Sequence, residues 1–301
     1  MRIGVSLNEP TGPDALVKLR DELRRAADDG FASAWASHIF GLDTLTALAV
    51  AGSQVPGIEV GTSVVPTYPR HPAALAQQAL TTALAVGGRL TLGIGLSHQI
   101  VIENMYGYDF GKPVRHMDEY LSILLPLLNG EQADFTGETL AGHIGLSTPR
   151  VGRAPVVLAA LGPRMLKLAG ERADGTVLWM TGPETVRDHV VPTITAAAHA
   201  AGRPDPRVVC ILPVCVTDDL DGARARAAKA FEVYGLLPSY RAMLDREGVA
   251  GPEDVAIVGD EDAVGAQVEA LAKAGVTDFV AGEFTTGEDG RRTRTFLASL
   301  T

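Results

Sequence analysis

Aromatic residues make up only 5% of this 301-residue chain. Ala, Val, Leu and Ile must therefore fill its core in place of large rings. Cysteine is nearly absent: Cys210 and Cys215 are the only two. Both fall in the apolar run Val208–Val216, which predicts a strand, and their odd spacing puts them on opposite faces. That argues against a disulfide and predicts two buried thiols. No apolar run approaches the ~18 residues of a membrane span. Met1-Arg2-Ile3-Gly4-Val5 reads as a first strand and lacks the charged-then-apolar order of a secretion signal. A cytoplasmic protein with no membrane partner is expected. Basic residues are outnumbered, 26 against 36, for a net charge of −10. A nucleic-acid partner, which needs a basic face, is not expected. A small anionic ligand remains compatible, because backbone dipoles and a few arginines act locally.

Several chemistries lack their residues. Lys18, Lys112, Lys167, Lys229 and Lys273 all map to predicted helices and none to a strand end, which argues against a Schiff-base aldolase. No cluster has metal-site spacing, and no Gly-x-Ser-x-Gly elbow is present. Gly93-Ile94-Gly95 lacks the third glycine of a dinucleotide fingerprint. With no lysine, metal or nucleophile in evidence, the chemistry is expected to belong to a bound organic cofactor acting on a small-molecule substrate.

What the chain does contain is alternation. Eight β-rich runs appear: Ile3–Asn8, Ala34–His38, Ile58–Val65, Leu90–Gly95, Val156–Ala160, Thr176–Met180, Val208–Val216 and Thr277–Gly282. Between them lie helical periods at Pro13–Asp29, Asp43–Gly52, Pro72–Val86, Pro113–Leu128 and Asp262–Ala274, the last preceded by the capping Asp260. Unbroken strand–helix alternation predicts a parallel sheet, and eight strands favour a (β/α)8 TIM barrel. A single domain over residues 1–301 is expected. Insertions are expected after strand 4 (Ser97–Pro155) and strand 7 (Asp218–Asp260). The first holds one helix and a loop or hairpin around Thr136-Gly137-Glu138-Thr139; the second reads as two or three helices.

A barrel brings the residues just after its strands to one face. Here those are Asn8 and Glu9, His38, Ser63 to Thr67, Ser97 and His98, Gly162 to Arg164, Trp179 to Gly182, and Glu283. His38 and His98 are the titratable pair, suited to acid–base work, proton relay or hydrogen-bonded packing. His71, His116, His143, His189 and His199 fall on helices or loops and read as structural. Residues 159–182 read as strand, glycine turn, helix, strand, glycine turn. A glycine turn at a helix start leaves backbone N–H groups able to hold a phosphate.

Five segments together carry a family resemblance: Gly30-Phe31-Ala32-Ser33-Ala34-Trp35, Val60-Gly61-Thr62-Ser63-Val64-Val65-Pro66, Pro69-Arg70-His71-Pro72, Gly88 to Gly95, and Ala159 to Trp179. In this order the chain resembles the bacterial luciferase-like monooxygenase superfamily from Arg2 to about Gly282. Within it, the chain is similar to the coenzyme F420-dependent oxidoreductases related to methylenetetrahydromethanopterin reductase. The resemblance implies a (β/α)8 barrel, a homodimer, and a deazaflavin ring over strand three, with a non-prolyl cis peptide at Ser63–Val64. It implies cofactor contacts from Ser63, Val64, Ala160, Gly162, Pro163, Arg164, Thr181 and Gly182; Trp179 is counted with them as a pocket wall, with a buried core tryptophan as the equal alternative. The chain departs from the related sugar-phosphate dehydrogenases: their Asp-His after strand two is Ser37-His38, and their acidic residue after strand four aligns with His98. The acid–base role is thus left to His38, His98 or neither. The implied activity is hydride transfer between deazaflavin C5 and a small organic substrate, most simply as a reductase. The alternatives are an FMN-dependent two-component monooxygenase on the same fold, a non-catalytic cofactor-binding protein, and a cofactor-free barrel acting on a sugar phosphate.

Overall fold

The structure, a computed structural model, describes residues 1–301. In chain order its elements begin β1 (Arg2–Ser6), α1 (Ala15–Asp28), β2 (Ser33–Ala36), α2 (Thr44–Gly52), β3 (Glu59–Thr62), β4 (Val65–Pro66), α3 (Pro72–Ala85) and β5 (Leu90–Gly95). Then come α4 (Pro113–Leu128), β6 (Ala133–Thr136), β7 (Ala141–Ile144), β8 (Val156–Leu158), α5 (Pro163–Arg172), β9 (Gly175–Trp179), α6 (Pro183–Thr185), α7 (Val191–Ala200) and β10 (Arg207–Val216). The chain ends with α8 (Leu220–Leu236), α9 (Pro238–Glu247), α10 (Pro252–Val255), β11 (Ile257–Gly259), α11 (Glu261–Lys273), β12 (Asp278–Glu283) and α12 (Gly287–Ser299). This is a (β/α)8 barrel, as the alternation predicts. Leu90–Gly95 and Pro113–Leu128 fall where the sequence places them, to the residue.

The chain divides into two compact units. The first comprises Met1–Ser6, Asp28–Trp35 and Ala160–Thr301. In it β1 pairs in parallel with β12 on one side and β2 on the other, and β10 pairs with β12, β9 and β11. The close approach of β1 and β2 needs a residue without a side chain. A Cβ on Gly4 would sit 2.5 Å from Ser33 Oγ, which instead accepts the indole N–H of the buried Trp35 at 3.0 Å. Asp278, at the start of β12, is buried and ion-paired with Arg2 and Arg207, and it also accepts from the Thr277 hydroxyl. A buried charge is tolerable only when paired and hydrogen-bonded in this way.

The second unit comprises Leu7–Ala27 and Ala36–Ala159. Here β5 pairs in parallel with β3, β4 and β8, and around Thr136–Thr139, where a loop or hairpin is expected, β6–β7 form an antiparallel hairpin. Pro113 opens α4, where its missing N–H costs nothing, and Met117, Tyr120, Leu121 and Leu124 bury the stripe read from the sequence. Glu119, on the same helix, fastens the hairpin: its carboxylate accepts the N–H groups of Glu138, Thr139 and Leu140 and the Thr139 hydroxyl.

The structure corrects several expectations. The run Ile58–Val65 is two strands, β3 and β4, separated at Ser63–Val64. Asp218–Asp260 holds three helices and also the short strand β11. The first insertion also holds a single π-helical turn at Val101–Met105, too short to carry a period in the sequence. Lys112 is not helical but precedes α4 with φ 54°, and His143 lies on strand β7. Both cysteines are buried and unpaired, as their spacing predicts. No helix is long and apolar enough to cross a membrane.

Candidate functional site

In the second unit the break between β3 and β4 is built from glycine. The Ser63–Val64 peptide is cis, in keeping with the resemblance. Val64 lies where a Cβ on Gly95 would come within 2.6 Å of its side chain, and a Cβ on Gly93 would meet Thr62 O at 1.9 Å. The two glycines of Gly93-Ile94-Gly95 therefore lie within β5 and admit the neighbouring chain. Ser63 donates its N–H to Ala36 O, and its carbonyl accepts the Ser37 hydroxyl at 3.2 Å. Its own Oγ is buried with no partner. A buried hydroxyl left unpaired is uncommon, and this one is free to pair with a polar atom seated on the segment.

His38 follows β2 in the same unit. Its Nδ1 accepts the Thr44 backbone N–H at 3.2 Å, so the proton of the neutral ring resides on Nε2. Thr44 is tied down by its hydroxyl, which donates to Ser37 O at 2.7 Å. Burial first, and then the positive charge of Arg70, hold His38 below the ordinary histidine range, with Asp43 opposing them. Asp43 is the N-cap of α2 and accepts Thr46 N–H at 2.9 Å. It is also clamped by Arg70 and by the Gln78 amide. Burial alone would raise its pKa, but the Thr46 contacts and the Arg70 guanidinium outweigh it and hold the pKa at about 2.

His98 follows β5, after Ser97 in a left-handed conformation (φ 62°). Its carbonyl accepts the N–H groups of Val101 and Ile102, which starts the π-helical turn. Burial lowers its pKa as well. His116, read as structural, lies in a buried stack. Its ring lies flat on Tyr68 at 3.9 Å, and its Nε2 meets Thr67 Oγ1 at 3.0 Å. Burial pushes its pKa down to about 4, against the pull of Glu119.

In the first unit, Ala160 is buried and its carbonyl accepts the Thr176 hydroxyl. Gly162 caps α5 with no side-chain hydrogen bond, and a Cβ there would meet nothing within 4 Å. Pro163 begins the helix and Arg164 is exposed beside it. The α5 start is thus an open helix N-terminus with a cation nearby, which suits an anion. The turn at Thr181-Gly182 differs. The carboxylate of Glu247, from α9, accepts the N–H groups of Glu184 and Thr185 at 3.1 and 2.7 Å. The Thr181 hydroxyl turns back onto Trp179 O. These amides have an internal anion already.

Trp179 ends β9, with its ring edge-on to Phe231 and Tyr234 of α8. Phe231 meets Phe284, and Tyr234 meets Tyr240. The Trp179 indole Nε1 is buried with no partner. In a chain poor in aromatics this gathering is notable, and sequence reasoning found only Trp179 of it. The others come from an insertion and a strand end, with no local pattern to link them. Asp43 and Arg70 were visible as a helix start and as part of Pro69-Arg70-His71-Pro72, but their pairing is non-local.

The chain belongs to the luciferase-like monooxygenase family, which matches residues 1–278. It is 28% identical over 239 residues to 5,10-methylenetetrahydromethanopterin reductase of Methanolobus tindarius, covering 78% of this chain and 72% of that protein. Among solved structures it is similar to the coenzyme F420-dependent tetrahydromethanopterin reductase of Methanopyrus kandleri. That likeness has a TM-score of 0.83 at 23% identity, covering 99% of this chain and 97% of that one. It is also similar to the oxygenating constituent of 3,6-diketocamphane monooxygenase of Pseudomonas putida, a type II Baeyer–Villiger monooxygenase in complex with FMN. There the TM-score is 0.78 at 18% identity, with 99% and 96% covered.

Proposed function

We propose that the chain is a coenzyme F420-dependent oxidoreductase that transfers a hydride between the deazaflavin and a small organic substrate, acting as a reductase. The observation that carries this reading is the Ser63–Val64 segment, seated on Gly93 and Gly95, with Ser63 Oγ buried and unpartnered. The similarity to the named reductase supports it. These residues fit a flat heteroaromatic ring: Ser63 offers a hydroxyl to its polar edge, and Val64 offers an apolar face. The deazaflavin supplies the hydride-carrying C5. Ala160, Gly162, Pro163 and Arg164 are proposed to receive the anionic tail, because the α5 start is open. Thr181 and Gly182, in the turn after β9, are proposed as further cofactor contacts, and Trp179 as a wall for the substrate. His38, with its proton on Nε2, is the proposed hydrogen-bond or proton donor; His98 is the second candidate. Positioning a donor and acceptor in this way accounts for most of what hydride transfer requires.

We further propose that the protein is a cytoplasmic homodimer formed through α2 and α3. Neither helix carries an acidic or basic residue among Thr44–Gly52 and Pro72–Ala85, and Val50 and Leu84 are 41% and 43% exposed. Uncharged helix faces that expose large apolar side chains such as these are usually covered. Light scattering should give a dimer mass, and Val50→Asp with Leu84→Asp should give a monomer; a monomeric parent would refute it.

The test of the cofactor is an anaerobic titration with F420 and, separately, FMN, followed by tryptophan fluorescence. Tight F420 binding with FMN near background is expected. Preferential FMN binding would instead favour the second reading, a two-component monooxygenase, which the FMN-bound relative brings into view.

A further inference from the structure

Four side chains outside the reacting surface converge behind His38. Arg70, in the segment between β4 and α3, donates one guanidinium nitrogen to Asp43 and the other to Gln78 Oε1 at 2.7 Å. Gln78 closes the ring by donating to Asp43 Oδ1 at 2.7 Å and to Thr46 Oγ1 at 3.3 Å. Asp43 in turn caps α2 through Thr46 N–H. The residue between them, Thr44, gives its own N–H to His38 Nδ1. A planar guanidinium bridging two acceptors is a rigid, directional contact that lysine does not reproduce.

We propose that Arg70 and Asp43 are positioning residues for His38: their bridge, closed by Gln78, fixes the start of α2 so that Thr44 N–H holds the imidazole in a single tautomer with Nε2–H directed away from the helix. The charges work together with the geometry. Arg70 repels a proton on the ring and Asp43 attracts one, so the two charges oppose each other at His38 while the pair is intact. A further carboxylate, that of Glu9 from the segment between β1 and α1, lies against Gly41 of the His38–Asp43 loop. A protonated ring would donate from both nitrogens and lose the Thr44 bond. The role in turnover rests on the reading of His38 as the donor to substrate; the tautomer does not.

The experiment is long-range proton–nitrogen NMR of 15N-histidine-labelled protein without cofactor, with His38 assigned by its loss in His38→Asn. In the parent protein His38 should show an unprotonated Nδ1 throughout the neutral range. Arg70→Met removes the bridge and leaves the carboxylate uncompensated, so the His38 pKa should move up and the tautomers should mix. Asp43→Asn keeps an N-cap but leaves the guanidinium uncompensated, so the pKa should move down. A purely structural role would lower melting temperatures in both variants without opposite pKa shifts. No shift, or shifts of the same sign, would overturn the proposal. If Arg70→Met does not fold, Asp43→Asn decides alone: a downward shift supports it and any other result refutes it. With F420 bound, the acid limb of the kcat/KM profile should follow the same two directions. Failure of F420 to bind would leave the NMR result intact and count only against the cofactor assignment.

Discussion

Thr62 and Gly93 exchange two hydrogen bonds through one hydroxyl. Thr62 Oγ1 donates to Gly93 O at 2.7 Å and accepts Gly93 N–H at 2.8 Å. The side chain thus pairs backbone groups of β5 where the chain turns away at Ser63, and it satisfies a donor and an acceptor that would otherwise be buried unpaired.

This pairing gives two expectations for urea unfolding. Thr62→Val keeps the shape but orphans Gly93 N–H, at a cost of about 1–3 kcal/mol. Gly93→Ala forces a methyl against Thr62 O, and overpacking of this kind costs about 1–3 kcal/mol or more. An alanine variant as stable as the parent would show that the Ser63–Val64 segment is not held by this contact.

His116 makes stability fall with acid. Its folded pKa is depressed to about 4, so its contribution is complete above the unfolded value near 6.5 and is lost as pH falls toward 4. In that window the unfolded state binds the proton that the folded ring refuses. His116→Gln should flatten the stability–pH curve between those limits while keeping a polar partner for Thr67. An unchanged slope in denaturation curves from pH 7 to pH 4 would contradict the assignment.

Glu247 behaves as a helix cap supplied from a distance, 63 residues from the Glu184 N–H it accepts. Glu247→Ala should destabilise the protein by ~1 kcal/mol, the usual cost of a lost cap. It should also free the amides of Glu184 and Thr185 for an external anion. Thermal melts with and without phosphate test both effects: the variant should gain more from phosphate than the parent does.

Trp179 and Trp35 are the only tryptophans, and they should respond differently to substitution. Trp35 is 0% exposed and hydrogen-bonded, whereas Trp179 Nε1 has no partner. Trp179→Phe should leave the melting temperature nearly unchanged, since removing an unsatisfied donor costs little, while abolishing ligand-induced fluorescence change. Trp35→Phe should do the reverse, and a ligand response that survives in Trp179→Phe would remove Trp179 from the pocket.

Strands and helices were legible wherever the pattern was local and long. Leu90–Gly95 is buried along its whole length, and its Leu, Leu and Ile at alternate positions between glycines read as a short buried strand. Pro113–Leu128 declares its start by proline and its face by spacing. Strand β11 was missed because three residues carry no period, and they are strand only through the pairing of Ile257–Gly259 with Val214–Val216. The Ile58–Val65 run reads as one strand because β-branched residues recur from end to end of it; the interruption depends on the glycines of a neighbouring strand. Among the site residues, His38 was visible from its place after a strand. Its tautomer was not, because the Thr44 N–H that sets it belongs to the helix that follows.

The sequence by itself determined the alternation, and with it the barrel, the strand-end positions of His38, His98, Ser63 and Trp179, and the burial of both cysteines. Such features follow from hydrophobic period and turn residues, which act over a few positions. Tertiary structure alone decided which of those residues are constrained and how. Arg70 meets Asp43 across 27 positions, Glu247 fills a turn read as open, and Phe231 and Tyr234 come to Trp179 from an insertion. These contacts join residues whose separation along the chain carries no periodic signal, and only packing brings them within the few ångströms over which hydrogen bonds and charges act.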